Sequence, residues 1–185
     1  MPEAIAWRWG LQGEDDLLYK GLLDSHHYLG YQRPVGHTLR YLAYAHDRPV
    51  AALGWAAAAQ KVASRDRFIG WTAAQRLKNL HLVVCNTRFL VLPRIPHLAS
   101  HLLAANIRRL AGDWRARYGY VPALLETFVD TTRFKGTCYK AANWLHVGLT
   151  QGRGKYDRHT RRQKTIKAVF LYPLRPDFRQ VLCRG

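Results

Sequence analysis

The spacing of hydrophobic residues in the first third of the chain predicts a helix followed by a hairpin. Leu18 and Leu22 lie one helical turn apart in a run that opens with acidic residues, and this run predicts a helix that ends before Gly30. Two strand-like runs follow over residues 38–55. The turn-forming residues at 46–49 separate these runs, so the pattern predicts a β-hairpin.

The middle of the chain predicts two short helices, a strand region and a long helix. Residues 56–67 have high helix propensity, and residues 69–71 interrupt the helical pattern. Thr72 and Gln75 have the spacing of a capping box at the second helix. Residues 80–92 fit either one bulged strand or a tight hairpin. Residues 99–118 predict the long helix, whose apolar stripe comprises Leu103, Ile107, Leu110 and Trp114.

The last third predicts a strand, a short helix, a strand, a basic loop and a final strand. These segments cover residues 123–129, 134–142, 145–149, 151–167 and 168–172 in turn. Strands interleaved with helices predict an α/β (α+β) fold with a mixed sheet flanked by helices. The length of 185 residues predicts a single domain.

The net charge of the chain indicates which kinds of molecule it is suited to bind. The chain carries 29 Lys and Arg against 12 Asp and Glu, a formal net charge of +17. Such an excess indicates nucleic acid as the first partner to consider and an anionic membrane surface as the second. No apolar run reaches the roughly 18 residues of a membrane span, and no signal peptide is visible, so we expect a cytoplasmic protein without a membrane partner. Three scattered cysteines suit a reducing compartment and form no zinc pattern.

Several blocks of sequence resemble known families. The strand, short helix and strand around GTCYKAANW resemble the second half of the GCN5-related N-acetyltransferase fold, and the same block resembles the phage Mu Mom family of DNA-modification enzymes. Most of the chain resembles the DruA family of the Druantia anti-phage system, a domain also found beside transposases. The blocks that carry this resemblance are HYLGY, VAALGW, RDRFIGW, NLHLVV, PHLASHLL, LLETFVD, GTCYKAANW and VGLTQGRG.

The acetyltransferase resemblance implies a cofactor site at the start of the long helix. In that superfamily the helix amides bind the pyrophosphate of acetyl-CoA or another acyl donor, and the residues in the matching stretch are Leu92, Arg94, His97, Ser100 and His101. This stretch contains no glycine, and residues 56–80 form a helical insertion that the superfamily lacks. His97 and His101 have a spacing that suits a metal, but no nearby glutamate completes a zinc motif, so we expect no metal.

Four residues are candidates for catalysis, and each has a structural alternative. Glu126 lies inside an apolar strand and is either a general base or the partner of an arginine. Asp130, at the end of the same strand, is a second carboxylate or a cap of the following turn. Tyr139 matches the superfamily tyrosine that protonates the leaving thiolate, or is a core residue. Asn143 replaces a glycine in a left-handed turn, or bonds a base edge.

The basic loop is the main candidate for nucleic-acid binding, with a solvated surface loop as the alternative. Its cations would contact phosphates without reading sequence, and its tyrosine would stack on a base. The residues are Arg153, Lys155, Tyr156, Arg158, Arg161, Arg162 and Lys164.

Two hypotheses therefore remain open. The first is an acyltransferase-like enzyme that modifies nucleic acid, with Glu126 as base and Tyr139 as acid. The second is a non-catalytic nucleic-acid-binding module that keeps the fold and serves anti-phage defence or a mobile element. Both predict nucleic acid as the partner, with DNA favoured over RNA, and both allow partners among other defence-system or transposition proteins.

Overall fold

A computed structural model describes residues 5–151 and 165–185. The strands of these ranges form a seven-stranded sheet with the order β1-β2-β3-β4-β5-β7-β6, and helices flank it. The α+β class is thereby confirmed. Contacts divide the chain into two compact units, one formed by residues 1–57 and 85–120 and the other by residues 58–84 and 121–185.

The first unit contains the predicted helix, the hairpin and the long helix. Its elements are β1 (Ala6–Trp9), α1 (Gly13–His26), β2 (Thr38–Ala45), β3 (Arg48–Ala57), most of β4 (Val83–Val91) and α4 (Leu98–Tyr118). The hairpin turn has only two residues, His46 and Asp47, and both have positive φ. Such a turn matches the twist of the strands, so Arg48 and Pro49 belong to β3 and not to the turn.

The predicted stripe of α4 is confirmed as its buried side. The helix also makes two hydrogen bonds to the hairpin: Trp55 Nε1 donates to Asn106 Oδ1 over 2.7 Å, and Tyr41 Oη donates to Asp113 Oδ2 over 3.0 Å. Asp113 also accepts a hydrogen bond of 2.6 Å from Arg109 Nε. The acid of α4 is therefore already engaged by two partners.

The second unit contains the insertion and the C-terminal strands. Its elements are α2 (Ala63–Ile69), α3 (Ala73–Asn79), β5 (Leu124–Asp130), α5 (Thr137–Ala141), β6 (Leu145–Leu149), β7 (Lys167–Pro173) and α6 (Phe178–Leu182). Strand β7 pairs antiparallel with both β5 and β6 and so lies between them, with Glu126 opposite Leu171 and Thr127 opposite Phe170. The short helix α6 was not predicted.

Two boundaries differ from the sequence prediction. The insertion does not become helical until Ala63, because Ala56 and Ala57 complete β3. Within residues 80–92, a 3-10 turn at Leu80–Leu82 is followed by one strand, β4 (Val83–Val91), so the hairpin alternative is wrong. The capping box is confirmed: Gln75 N donates to Thr72 Oγ1, and Gln75 Oε1 accepts from Thr72 N.

Candidate functional site

Glu126 lies in a buried ion pair within the second unit. Arg65 Nη1 is 2.7 Å from Glu126 Oε2, and the Ala59 amide donates to Oε1 over 2.8 Å. Neither side chain of the pair has any exposure. Burial raises the pKa of Glu126, while Arg65 and the Ala59 amide oppose the rise. Both carboxylate oxygens of Glu126 accept hydrogen bonds, which fits the alternative that Glu126 is the ion-pair partner of an arginine.

Asp66 extends this pair into a network that fixes the insertion. Its carboxylate accepts hydrogen bonds from Arg65 Nε over 3.0 Å, from the Trp71 indole over 3.1 Å and from the Val62 amide over 3.3 Å. Arg65 Nη1 also donates to the Ala59 carbonyl over 2.7 Å, so the buried guanidinium is well satisfied. Neither Arg65 nor Asp66 was among the predicted site residues, because the α2 segment ASRDRFI does not itself indicate which of its charged side chains is buried.

Tyr139 packs in an aromatic cluster beside α5. The Thr127 hydroxyl donates to Tyr139 Oη over 3.4 Å, and the Tyr139 ring lies edge-on to Trp144 and stacked on Phe170. Tyr139 is buried. Its ring therefore has the packing of a core residue, while its hydroxyl points to β5. The catalytic role of Tyr139 stays a prediction.

Glu126 and Tyr139 lie on opposite faces of the sheet. Consecutive residues of a strand point to opposite faces, so Glu126 and Thr127 diverge. Glu126 faces Arg65 of the insertion, and Thr127 faces Tyr139. The structure therefore does not bring Glu126 and Tyr139 to one centre, because successive residues of β5 point to opposite faces of the sheet. The roles of Glu126 as base and Tyr139 as acid stay predictions.

Asp130 and Asn143 both occupy turns. Asp130 Oδ1 accepts the Thr132 amide over 3.0 Å and the Thr132 hydroxyl over 2.6 Å, and these bonds lower the pKa of Asp130. Asp130 therefore caps the turn that follows β5, which is the structural alternative for this residue. Asn143 has a φ of 64°, so it occupies the left-handed turn in which it replaces glycine. A contact of Asn143 with a base stays a prediction.

The start of α4 does not reproduce a pyrophosphate loop. His97 precedes the helix with a φ of 63°, and no side chain caps the first turn. The Leu98 amide is already bonded to the Ile95 carbonyl over 3.2 Å, and the Ser100 hydroxyl donates to the His97 carbonyl over 2.9 Å. Prolines at 93 and 96 lack amide donors, and no glycine allows close approach of a pyrophosphate. These residues do not fit the superfamily's CoA loop, and the cofactor roles of Leu92, Arg94, His97, Ser100 and His101 stay predictions.

The exposed face of α4 carries uncompensated positive charge. Arg108, Arg115 and Arg117 are exposed, and none has a carboxylate within ion-pair distance in the described ranges. Asp113 is the acid of this helix, and it is engaged by Arg109 and Tyr41. Arg108 and Arg115 are seven residues apart and lie on one side of α4, whereas Arg117 lies about half a turn around the helix from them. We refer to Arg108 and Arg115 as the α4 cationic face.

The predicted basic loop lies largely outside the described residues. This applies to all of its named candidates, which are Arg153, Lys155, Tyr156, Arg158, Arg161, Arg162 and Lys164. Within residues 5–151 and 165–185, no three His, Cys, Asp or Glu side chains come close enough to share a metal ion. No helix in those ranges is both long enough and apolar enough to cross a bilayer.

Solved structures with a similar fold are N-acetyltransferases. A Bacillus subtilis acetyltransferase in complex with CoA has a TM-score of 0.55 at 12% identity, with 93% of this chain and 100% of that chain covered. A spermidine N-acetyltransferase chimera from Vibrio cholerae has a TM-score of 0.58 at 10% identity, with 97% and 99% covered. An aminoglycoside acetyltransferase in complex with coenzyme A and kanamycin has a TM-score of 0.56 at 13% identity, with 92% and 95% covered.

At these identities the likeness defines the fold alone, and the chain has the fold of the GCN5-related N-acetyltransferases. The family model of the Druantia protein DruA matches residues 10–183, so the chain belongs to the DruA family, an anti-phage defence family. No curated protein matches the chain. The resemblance to phage Mu Mom stays a prediction.

Proposed function

We propose that this protein binds nucleic acid in anti-phage defence through an acetyltransferase-like fold that has lost its superfamily's cofactor loop. The observation that carries the proposal is the α4 cationic face. Arginine side chains that are exposed and unpaired by carboxylates attract phosphates, and each phosphate contact releases condensed counterions. DNA is the first partner to test, and proteins of the same defence system or of transposition are the second.

The geometry of α4 suits a phosphate backbone. Arg108 and Arg115 are seven residues apart, which is about two helical turns or roughly 10 Å along one side of the helix. Gly112 is exposed between them and has no side chain to hold a strand away. Asp113 is turned toward Arg109 and Tyr41, so it does not repel a phosphate at this face. Contacts of this kind give affinity without choice of sequence.

Salt-dependent binding tests the proposal. Fluorescence anisotropy with labelled duplex and single-stranded DNA gives the slope of log K against log salt for the wild type. Replacing Arg108 and Arg115 with alanine should flatten that slope by up to about 1.8 on duplex DNA, because each lost phosphate contact removes about 0.9. A second variant with alanine at Arg158, Arg161 and Arg162 tests the basic loop in the same assay.

A charge-matched variant controls for net charge. Replacing Lys61 and Arg67, two exposed cations of the insertion, with alanine removes the same total charge. This control should change the slope less than the α4 variant does. An equal change in both variants would mean that net charge alone governs binding, and the absence of any DNA or RNA binding at low salt would overturn the proposed function.

Acyl transfer to a nucleic-acid base is the second candidate function. It is favoured by the fold, since similar structures were solved with CoA, and by the position of Tyr139 on α5 after β5. It is weakened by the buried pairing of Glu126 and by the absence of glycine at the start of α4. Native mass spectrometry of the purified protein tests it: a co-purifying acyl-CoA would support transfer, and a protein that binds no acyl donor would exclude it.

A further inference from the structure

A shallow groove with a volume of about 390 Å³ lies beside α5 in the second unit. That volume is at the lower end of small-ligand sites. We call it the Phe134 groove, and its lining comprises Thr131, Phe134, Lys135, Lys140, His146, Leu149, Ala168 and Phe170. It occupies the face of the sheet that holds Thr127 and Tyr139, since Phe170 lies opposite Thr127 in the register.

The charged side chains that line the groove are all positive. Lys135, Lys140 and His146 are exposed, and within the described ranges neither lysine forms an ion pair. The lining contains no carboxylate. Asp130 lies near in sequence, but its carboxylate is bonded to Thr132 and is almost fully buried. The groove is therefore complementary to an anion.

The groove also presents aromatic surface. Phe134 is 53% exposed, which is unusual for so large an apolar side chain. Phe170 forms a buried wall, and its ring stacks on Tyr139 at 5.9 Å on the same face. An aromatic platform beside lysines is the arrangement that holds single-stranded nucleic acid, because bases stack on the ring while phosphates meet the cations.

The backbone at Gly136 packs closely against the Phe170 wall. Gly136 has a φ of 67°, and a Cβ at this position would lie 2.7 Å from the Phe170 ring. The loop that carries Phe134 and Lys135 therefore sits directly on Phe170. A surface ordered before binding loses little entropy when a ligand enters.

The most basic segment of the sequence joins the chain beside this groove. Leu149 and Ala168 line the groove, and next to them the Thr150 amide donates to the Lys167 carbonyl over 2.8 Å. The Lys167 amide donates to Thr150 Oγ1 over 2.9 Å. Between these two residues the sequence carries six Arg and Lys at positions 153–164. The two described ends of this basic segment therefore meet beside the groove.

We propose that the Phe134 groove holds one unstacked base of a single-stranded or locally opened nucleic acid, with Phe134 as the stacking platform and Lys135 and Lys140 as contacts to flanking phosphates. This inference rests on the proposed nucleic-acid binding and adds to it a preference for unpaired bases. Duplex DNA can reach the α4 cationic face, but a base inside a duplex cannot reach an aromatic wall.

The test compares three labelled DNAs bound by the full chain: a single strand, the same strand with abasic sites at its centre, and the corresponding duplex. The wild type should bind the single strand more tightly than the abasic strand. Phe134→Ala should weaken binding to the intact strand by about 5- to 150-fold and remove its advantage over the abasic strand. Phe134→Trp should retain both the affinity for the intact strand and its advantage over the abasic strand, because a larger ring still stacks on a base.

Two further variants separate stacking from charge. Replacing Lys135 and Lys140 with alanine should reduce the salt slope on single strands by about 1.4, since each contact is worth about 0.7. Leu77→Ala, which trims another exposed apolar side chain of the same unit, should leave affinity unchanged; Leu77 is 87% exposed.

The outcomes are distinguishable. If the wild type binds DNA and Phe134→Ala binds the single strand with the same affinity, the proposed role of the Phe134 groove is overturned and the proposed function still stands. No binding of any nucleic acid by the wild type overturns both. If Phe134→Ala binds DNA normally but loses binding to anionic phospholipid vesicles, the groove belongs to a membrane surface and the inference is wrong.

Discussion

Arg65 Nη1 lies 2.7 Å from Glu126 Oε2, and the two side chains are fully buried together in the second unit. This pair ties helix α2 of the insertion to strand β5 across 61 positions of sequence. A buried charge without its partner is costly, so each residue depends on the other. The pair gives Glu126 a structural function that needs no substrate.

Removing one member of this pair should destabilise the protein strongly. We expect Arg65→Met to lower the free energy of unfolding by about 3 to 5 kcal/mol, because Glu126 is left buried without its cation. The double variant Arg65→Met with Glu126→Leu should cost less than Arg65→Met alone. Urea denaturation measures both, with Arg67→Met on the exposed side of α2 as the control, expected within about 0.5 kcal/mol of the wild type. Equal stability of Arg65→Met and Arg67→Met would contradict the role of the pair.

Two glycines near or in α4 should respond in opposite directions to alanine. Gly112 is in the helix, and an added Cβ would meet nothing within 4 Å, so Gly112→Ala should stabilise by about 0.5 to 1 kcal/mol. Gly119 ends the helix with a φ of 80°, and Gly119→Ala should cost about 1 kcal/mol or more. Thermal unfolding measures both changes. A destabilising Gly112→Ala would contradict the open space around position 112.

Asn143 offers a test that separates backbone conformation from chemistry. Its φ of 64° suits glycine, so Asn143→Gly should keep the free energy of unfolding within about 0.5 kcal/mol, whereas Asn143→Ala should lose about 1 kcal/mol. DNA affinity of a stable Asn143→Gly variant should equal that of the wild type if the residue only shapes the turn. A selective loss of DNA binding in that variant would instead assign the side chain to a base contact.

His27 should make the protein less stable in mild acid. Burial, with Arg88 nearby, lowers the pKa of His27 to about 4, and the Leu29 amide donates to Nδ1 over 3.2 Å. The unfolded chain binds this proton near pH 6.5, so between about pH 6.5 and 4 it holds more protons than the folded chain. Stability should therefore fall as pH falls through this window and be fully present above it.

Urea unfolding at about pH 7 and pH 5 measures this dependence. His27→Gln should flatten it, because the titrating group is gone. His26→Gln changes an exposed neighbour at the end of α1 and should leave the dependence largely intact. An unchanged difference between the two pH values in His27→Gln would place the acid sensitivity elsewhere.

Local patterns allowed the elements to be predicted from sequence. The apolar stripe of α4, the capping box at Thr72 and the strands β5 and β6 each depend on residues close together in the chain, and all were confirmed. The net charge of +17 and the family blocks likewise need no coordinates. The candidates for catalysis were less predictable, because a carboxylate within an apolar strand is compatible with both a base and an ion pair.

The sequence by itself thus determined the fold class, the positions of most helices and strands, the family and the strongly basic character. Only the tertiary structure decided that Arg65 is the partner of Glu126, that Glu126 and Tyr139 face opposite sides of the sheet, and that Phe134 and two lysines share one groove. The physical reason is distance along the chain. Periodicity reports which residues of one element share a side, but which element covers that side depends on long-range packing.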